Sequence, residues 1–145
     1  MEWKPIVRVQ DREGRGPWRP GFSWQWTDSG RQSLPPPITT VMPNFRRAVM
    51  ALHREGFHIG CAVRADRIDR WFTRAELAAL QRLGFAIRDA SKMRVVWEND
   101  DQVLVASRLP LALLPAPPSD IGHPAPAITS GDDASLAADD LDKRP

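Results

Sequence analysis

The sequence contains only one cysteine, Cys61, in 145 residues. One thiol cannot form an internal disulfide or a cysteine-based zinc site. Long apolar runs are lacking too, because the longest, from Leu109 to Pro118, is interrupted by prolines and is too short to cross a bilayer. The opening residues, Met-Glu-Trp-Lys-Pro, lack the basic and apolar regions of a signal peptide. These absences predict a cytoplasmic protein without a membrane partner.

Signatures of the common nucleotide-binding folds and of metal sites are also missing. No Gly-Lys-Ser/Thr loop follows a candidate strand, and Gly14-Arg-Gly16 lacks the third glycine and the following helix of a dinucleotide fingerprint. The histidines His53, His58 and His123 are scattered, so no metal is expected. The missing nucleotide-binding signatures argue against the two commonest nucleotide-binding folds, but they do not argue against nucleotides as ligands.

Acidic residues are sparse in most of the chain and concentrated at its end. Residues 1–110 contain 18 Lys and Arg against 12 Asp and Glu, a net charge of +6, whereas residues 111–145 contain 2 against 6, a net charge of −4. The basic part predicts an anionic partner, and the acidic tail is a candidate competitor for the same surface. The composition predicts a single domain over residues 1–112 and a disordered Pro-, Ala- and Asp-rich tail over residues 113–145.

An arginine-, glycine- and tryptophan-rich segment over residues 11–26 is the most distinctive feature present. Its sequence, Asp-Arg-Glu-Gly-Arg-Gly-Pro-Trp-Arg-Pro-Gly-Phe-Ser-Trp-Gln-Trp, has neither helical period nor strand alternation and therefore predicts an ordered loop. Arginine presents a planar fork of donors to phosphate or carboxylate, and tryptophan presents a flat face to a ring. Two interpretations remain open: a binding loop for an anionic ligand, or a cover whose tryptophans pack on the core.

The remaining pattern predicts an α+β domain built on a small, mixed, split sheet with about three helices packed on it. A Thr73-Arg-Ala-Glu76 capping box starts the clearest helix, which ends at Gly84. Trp71 and Phe72 precede this helix and are expected in the core. Strands are predicted at residues 6–9, 57–63, 85–89, 94–98 and 102–106, and the other helices at 43–55 and 67–72.

The segment Arg8-Val-Gln-Asp, followed by Gly14-Arg-Gly-Pro-Trp-Arg-Pro-Gly-Phe22, resembles the N-terminal signature of a group of small bacteriophage and prophage proteins. Shorter segments such as Ile59-Gly-Cys-Ala-Val63 are similar to the same group, and the resemblance extends over residues 6–110. It implies a phage- or prophage-type accessory protein that acts in a bacterial or phage-infected host.

The arrangement is also similar to that of the ADP-ribosyltransferase superfamily, in which a first-strand arginine or histidine holds NAD and a late strand supplies a glutamate. Cys61 stands where that family has a serine or tyrosine, and Gln102 stands near the family's glutamate, with Glu98 as the nearest acid. Such chemistry needs a neutralised diphosphate, a stacked nicotinamide and a carboxylate near the ribose. The resemblance implies NAD as cofactor, Arg8 as the residue that holds it, and Glu98 and Gln102 as catalytic residues. From the needs of the chemistry, Arg8, Arg15 and Arg19 are the candidates to neutralise the diphosphate, and Trp18 or Trp24 is the candidate to stack on the nicotinamide.

Two functions therefore remain open. The first is an NAD- or nucleotide-binding, ADP-ribosyltransferase-like protein that modifies a host macromolecule. The second is a non-catalytic module that docks on or inhibits a host protein or nucleic acid through its arginine-rich surface. The absence of a clear strand glutamate at Gln102 favours the second, and enzymatic activity stays an open question.

Overall fold

The computed structural model describes residues 5–19, 21–28 and 33–118. Within these ranges the chain forms a five-stranded sheet, three α-helices and three short 3₁₀-helices. The strands are β1 (Ile6–Gln10), β2 (His58–Arg64), β3 (Ala86–Asp89), β4 (Arg94–Glu98) and β5 (Val103–Ser107). The α-helices are α1 (Ile38–Val41), α2 (Phe45–Arg54) and α3 (Arg74–Arg82), and the 3₁₀-helices cover Ser23–Gln25, Ala65–Arg70 and Leu111–Leu113.

The strands are arranged in the order β3-β1-β2-β5-β4, and every pairing between the described strands is antiparallel. The predicted α+β class is confirmed, but the sheet is antiparallel where a mixed sheet was predicted. The reason lies in the long helical connection between β1 and β2. The strand that follows this connection, β2, lies beside β1 and runs in the opposite direction. The order of the elements along the sequence does not reveal that direction.

The sheet is curled, as the short connection between β3 and β4 shows. These strands occupy opposite edges, yet only residues 90–93 join them. The edges of a flat five-stranded sheet would lie about 19 Å apart, and an extended connection of this length reaches only about 17 Å. The connection crosses the end of β1, where the Ala90 N–H donates to the Ile6 carbonyl (2.8 Å) and the Ile6 N–H donates to Ser91 Oγ (2.9 Å).

We call the face of the sheet that carries Val7, Val9 and Val63 the front face. Its main cluster is completed by Trp26 from the loop and by residues from the 65–70 helix, α3 and their flanks: Ile68, Trp71, Phe72, Leu80 and Phe85. Trp71 and Phe72 are 9% and 6% exposed, so their prediction as core residues is confirmed. A second front-face cluster packs α1 and α2 on β5 through Ile38, Met42 and Leu104.

The back face carries Ile6, Arg8 and Gln10, because side chains alternate along β1. Its apolar part is one buried cluster: Ile6, Ala62, Ala90, Val103 and Val105. The segment 110–118, which we call the C-terminal strap, lies against this cluster through Leu114. The Pro115 carbonyl accepts a 2.8 Å hydrogen bond from the N–H of Asp89. The folded part thus extends past the predicted boundary at residue 112, at least to Pro115. The predicted tail beyond residue 118 lies outside the described residues.

Thr73 and Glu76 form the predicted capping box, which confirms the start of α3. The Glu76 N–H donates to Thr73 Oγ1 (3.0 Å), and the Thr73 N–H donates to Glu76 Oε1 (2.9 Å). Glu76 is fully buried, and its Oε2 accepts a 2.7 Å hydrogen bond from the N–H of Asp28, just beyond the tryptophan-rich loop. One carboxylate therefore caps α3 and ties down the end of the loop.

The predicted strands agree with the observed ones to within one residue at each end, but the helices differ. The four residues of α1 were not predicted, because such a short element shows no helical period. The segment predicted as a helix at 67–72 is a 3₁₀-helix over Ala65–Arg70. The helix predicted at 43–55 begins only after Asn44, which takes a left-handed conformation with φ 56°.

Candidate functional site

Arg8 is a buried arginine in the middle of β1 and is the first-strand residue predicted to bind NAD. Its guanidinium donates three hydrogen bonds within the chain: Nε to Gln10 Oε1 (2.9 Å), Nη1 to the Cys61 carbonyl (2.8 Å) and Nη2 to the Gly14 carbonyl (2.8 Å). Burial lowers the pKa of Arg8, while Cys61 and Asp11 oppose that shift. These bonds join β1 to β2 and to the loop, and we call the group the Arg8 anchor. A contact between Arg8 and NAD stays a prediction.

Gln10 and Gly60 extend the Arg8 anchor to the C-terminal strap. Gln10 is 1% exposed, and its Nε2 donates to the Leu111 carbonyl (2.7 Å). A Cβ at Gly60 would lie 3.0 Å from Arg8 Cζ and Nη1 and 3.0 Å from Leu111 Cδ1. The missing side chain at Gly60 therefore lets the guanidinium and the leucine pack directly over β2.

Replacing Gly60 by alanine should destabilise the protein by about 1–3 kcal/mol, because the added methyl group crowds both the guanidinium and Leu111. Gly16→Ala is the matched control. A Cβ there would have its nearest neighbours, the Arg8 nitrogens, at 3.8 and 3.9 Å, and should change stability by less than about 0.5 kcal/mol. Urea denaturation measures both free energies of unfolding. Equal stability of the two variants would contradict the crowding at Gly60.

Arg15, the second predicted cofactor-binding residue, is paired with two carboxylates. Its Nε lies 2.9 Å from Asp11 Oδ2, and its Nη2 lies 3.0 Å from Glu13 Oε1. Asp11 also accepts hydrogen bonds from the N–H groups of Glu13 and Arg15, each 2.9 Å long. Burial acts to raise the pKa of Asp11, but these bonds from Arg15 and Glu13 outweigh it and hold the pKa below its usual value. The positive charge of Arg15 is thus largely balanced within the loop.

Trp18 and Arg19, the other predicted cofactor-binding residues, lie near the front-face cluster. The Trp18 ring is edge-on to Trp26, with centroids 4.5 Å apart, and stacks on Phe72 at 5.9 Å. Arg19 Cζ lies 4.4 Å from the centroid of the Phe22 ring, and Arg19 Nε is buried without a hydrogen-bond partner among the described residues. The packing of the loop is that of a cover over the core. Binding of a ligand by the same loop stays a prediction.

Glu98, a predicted catalytic residue, forms a two-fold ion pair with Arg64. Arg64 Nε donates to Glu98 Oε2 and Arg64 Nη2 donates to Glu98 Oε1, both at 2.8 Å. The hydrogen bonds from Arg64 lower the pKa of Glu98, desolvation opposes this, and the same bonds raise the pKa of Arg64. Both carboxylate oxygens are therefore occupied, so a catalytic role would require Arg64 to release Glu98.

Gln102, the other predicted catalytic residue, is 5% exposed and is hydrogen-bonded to two different segments of the chain. Its side-chain Nε2 donates to the Pro36 carbonyl (2.9 Å), and its backbone N–H donates to Asn99 Oδ1 (3.0 Å). The first bond fixes the proline-rich segment before α1 to the β4–β5 hairpin. The second shapes the turn of that hairpin. In this position the Gln102 amide links two parts of the chain.

Acid should destabilise the protein through Asp11 and Glu98, whose pKa values both lie below their usual range. A carboxyl group with a lowered folded-state pKa stabilises the protein at pH values above its unfolded pKa, about 4. That contribution is lost as the pH falls through the folded-state pKa. Asp11→Ala and Glu98→Gln should therefore each lose less stability than wild type between about pH 5 and pH 2.

Thermal melts across this pH range measure the effect, and Glu55→Gln serves as the control because Glu55 is an exposed carboxyl group. The control should follow the wild-type curve. If the melting temperatures of Asp11→Ala and Glu98→Gln fall with decreasing pH as steeply as that of wild type, these two carboxylates do not contribute to the loss of stability in acid.

The predicted site residues do not meet in one cleft. Arg8 on β1 and Glu98 on β4 both belong to the back face, but β2 and β5 lie between them. Three strand spacings correspond to about 14 Å along the sheet. The intervening side chains Ala62 and Val103 are buried and apolar. Trp18 packs on the front-face cluster, on the other side of the sheet.

The single cysteine lies on β2 beside the Arg8 anchor. Cys61 is open to solvent on one side, but desolvation by the sheet raises the pKa of its thiol, and Arg8 only partly opposes this. The thiol is therefore protonated at neutral pH and is a weak nucleophile. Within residues 5–19, 21–28 and 33–118, no three His, Cys, Asp or Glu side chains are grouped to hold a metal ion. No helix in the described part of the chain has the length and apolar character to cross a membrane.

An open groove of about 900 Å³ runs along α2 and was missed from the sequence. None of the described residues that line it is acidic, and the chemically important ones are Arg46, Arg47, Arg54, Phe45, Val49 and Met50. Arg46, Met50 and Arg54 are spaced by four residues and so form one stripe along the helix. Met50 is 49% exposed. The signal was present in the sequence, because α2 carries three arginines and no acid in ten residues. We call this surface the α2 groove.

No protein-family model, curated protein or solved structure matches the chain. The resemblances to small phage and prophage proteins and to the ADP-ribosyltransferases therefore stay predictions, as does a cytoplasmic location.

Proposed function

We propose that this protein is a non-catalytic binding module that docks on an acidic, amphipathic segment of a protein partner through the α2 groove. The observation that carries the proposal is the lining of the groove, where three arginines flank apolar side chains and no described residue contributes a carboxylate. Arginine forms strong, directional pairs with carboxylates. Apolar groove residues receive the apolar face of an amphipathic partner segment. In a phage-infected cell the partner would be a host protein.

The arginines of the α2 groove differ from those elsewhere in how far they are already paired. Arg8 is enclosed by internal acceptors, Arg15 is paired with Asp11 and Glu13, and Arg64 is paired with Glu98. For such an arginine a new carboxylate replaces an existing partner, so little affinity is gained. The groove arginines are exposed and lie beside no acidic lining residue, so a partner carboxylate adds a new pair.

The apolar side chains of the groove favour a protein segment over a nucleic acid. A nucleic-acid backbone would engage the arginines through its phosphates. It would leave uncovered the exposed side chain of Met50 and the exposed parts of Phe45 and Val49, which otherwise pack on the Ile38–Met42–Leu104 cluster. An acidic segment that also carries leucines can cover both kinds of surface at once, which is the common mode of helix-in-groove recognition.

The NAD-dependent transferase interpretation remains a hypothesis beside this proposal. Glu98 and Gln102 are engaged in the bonds described above, and Arg8 is enclosed in its anchor. Titration calorimetry with NAD on wild type and Trp18→Ala tests it directly, because Trp18 is 40% exposed and is the predicted stacking residue. NAD binding that weakens in Trp18→Ala would support a cofactor site in the loop.

The test of the binding module uses fluorescence anisotropy with two probes. One is a synthetic amphipathic peptide with leucines on one face and Asp and Glu on the other, and the second is a short DNA duplex. The peptide should bind, and its affinity should fall as salt rises. Arg46→Glu/Arg47→Glu should weaken peptide binding at least about tenfold, which corresponds to roughly 1.4 kcal/mol.

The matched control is Arg67→Glu/Arg74→Glu, which makes the same charge change at exposed positions outside the groove. This control variant should keep most of the wild-type affinity for the peptide. An equal loss in both double variants would point to unspecific charge attraction and overturn the proposal. DNA binding that exceeds peptide binding and is lost in the groove variant would assign the groove to nucleic acid instead.

A further inference from the structure

We propose that the chain carries its own ligand for the α2 groove: the acidic segment 132–142 docks there and competes with the partner. The inference rests on the proposed function, because it assigns the same groove to an acidic amphipathic segment. It adds an internal competitor, so that the partner must displace the tail before it binds.

The composition of the segment matches the groove. Its sequence, Asp-Asp-Ala-Ser-Leu-Ala-Ala-Asp-Asp-Leu-Asp, has five aspartates and no basic residue, and its large apolar residues are Leu136 and Leu141. The groove offers the complementary set of Arg46, Arg47 and Arg54 with Met50 between them. Complementary charge sets the specificity and the association rate of such a contact, and the leucines add apolar burial.

The length of the intervening chain allows the contact. Thirteen residues separate Pro118, the last one described, from Asp132. Extended, they reach about 43 Å, whereas a domain of this size has a radius of gyration of about 13 Å. A tethered segment with such a linker has an effective concentration in the millimolar range. Even a weak contact is therefore well populated, while a tighter partner can still displace it.

The α2 groove suits the tail better than the surfaces around Arg15, Arg64 and Arg70. Arg15 and Arg64 already hold acidic partners of their own. Arg70 is also near a carboxylate, with its Nη2 3.1 Å from Asp101 Oδ1. The groove brings three arginines together without an acidic lining residue, and its stripe of arginine, methionine and arginine fits a segment in which aspartates flank leucine.

The experiment compares the full wild-type chain with a full-length variant whose tail is neutralised: Asp132→Asn, Asp133→Asn, Asp139→Asn, Asp140→Asn and Asp142→Asn. The probe is the synthetic acidic peptide already described. The neutralised variant should bind the probe about tenfold more tightly than wild type, because it has lost the competitor. Leu136→Ser/Leu141→Ser keeps all the charges and should give a smaller increase in affinity.

Backbone amide NMR spectra give a second readout that needs no probe. Amide signals of residues 45–54 should differ between wild type and the neutralised variant. A peptide with the tail sequence, added to the neutralised variant, should shift them back toward the wild-type positions. The Arg46→Glu/Arg47→Glu change in the full chain should abolish the difference between the two tails.

The outcomes separate this inference from the proposed function. Equal probe affinity and identical amide signals in wild type and the neutralised variant would overturn the inference and leave the binding module intact. Failure of the probe to bind either protein would overturn the proposed function, while the spectra would still decide whether the tail docks. Signals that change only outside residues 45–54 would place the tail on another surface and overturn the inference.

Discussion

Arg8→Ala is expected to lose about 3–5 kcal/mol of unfolding free energy, a large fraction of the stability of a domain this size. The side chain donates three charge-assisted hydrogen bonds, to Gln10, Cys61 and Gly14. Each such bond contributes roughly 1.5–3 kcal/mol, although the contributions of one group do not add fully. Truncation also leaves three acceptors without their donor and opens a cavity over Gly60. Urea denaturation followed by tryptophan fluorescence measures the loss.

Two variants control this prediction. Arg88→Ala removes a partly buried arginine that lies opposite Arg8 in the β1–β3 pairing, and it should cost less than about 1 kcal/mol. Arg8→Lys keeps the charge but cannot reach three acceptors with a planar fork, so its stability should lie between wild type and Arg8→Ala. An Arg8→Ala variant that melts like wild type, but no longer binds NAD, would instead assign Arg8 to a cofactor site.

A chain that ends after Pro110 is expected to lose its cooperative unfolding transition. The deletion removes the C-terminal strap and with it the Leu111 carbonyl that accepts from buried Gln10 (2.7 Å). It also removes Leu114 from the back-face cluster and the Pro115 carbonyl that accepts from Asp89. The exposed back face then consists of apolar side chains beside a desolvated arginine, which is a poor surface in water. Circular dichroism during thermal denaturation measures the loss of cooperativity.

The matched control for this deletion is a chain that ends after Pro118. It keeps every hydrogen bond and apolar contact described for the strap, so its unfolding should stay cooperative, and its melting temperature should fall by no more than about 6 °C, the cost of losing a docked tail that competes about tenfold. A cooperative transition in the chain that ends at Pro110 would show that the sheet folds without the strap. A large fall in melting temperature for the chain that ends at Pro118 would show that residues 119–145 contribute to the packing.

Local signals in the sequence predicted the secondary structure well. The Thr73–Glu76 capping box, the turn residues between β4 and β5, and the short β-branched run of β1 each act over a few residues, and each element lies where it was predicted. The core positions of Trp71 and Phe72 were likewise predicted, because apolar periodicity reports which side of an element is buried.

The roles of single polar residues could not be predicted in the same way, because they depend on contacts between distant parts of the chain. Nothing near Arg8 in the sequence indicates that its acceptors include the carbonyls of Cys61 and Gly14. The buried amide of Gln102 reaches Pro36, and the cap residue Glu76 also holds the N–H of Asp28. The arginine-rich loop was therefore predicted to be a binding surface, although the charge of Arg15 is paired with Asp11 and Glu13 within the fold.

The α2 groove was missed for a different reason. The apolar periodicity of Phe45, Val49 and Leu52 indicates the buried side of the helix, and it carries no information about the neighbours of the outward side. Whether an outward stripe of arginines is neutralised depends on the elements that pack beside it. Only the three-dimensional arrangement shows that, in the part of the chain that the structure describes, no acidic residue lines this groove.

The two edge strands of the curled sheet have a consequence for self-association. Long, flat edges with unpaired N–H and carbonyl groups are templates for the growth of a sheet from one molecule to the next. β3 is only four residues long, and the N–H of Asp89 at its end is already bonded to the strap. β4 carries a register irregularity between Val95 and Trp97, which distorts its free side. Both edges are thus poor templates, and a chain that loses the strap would be prone to polymerise as well as to unfold.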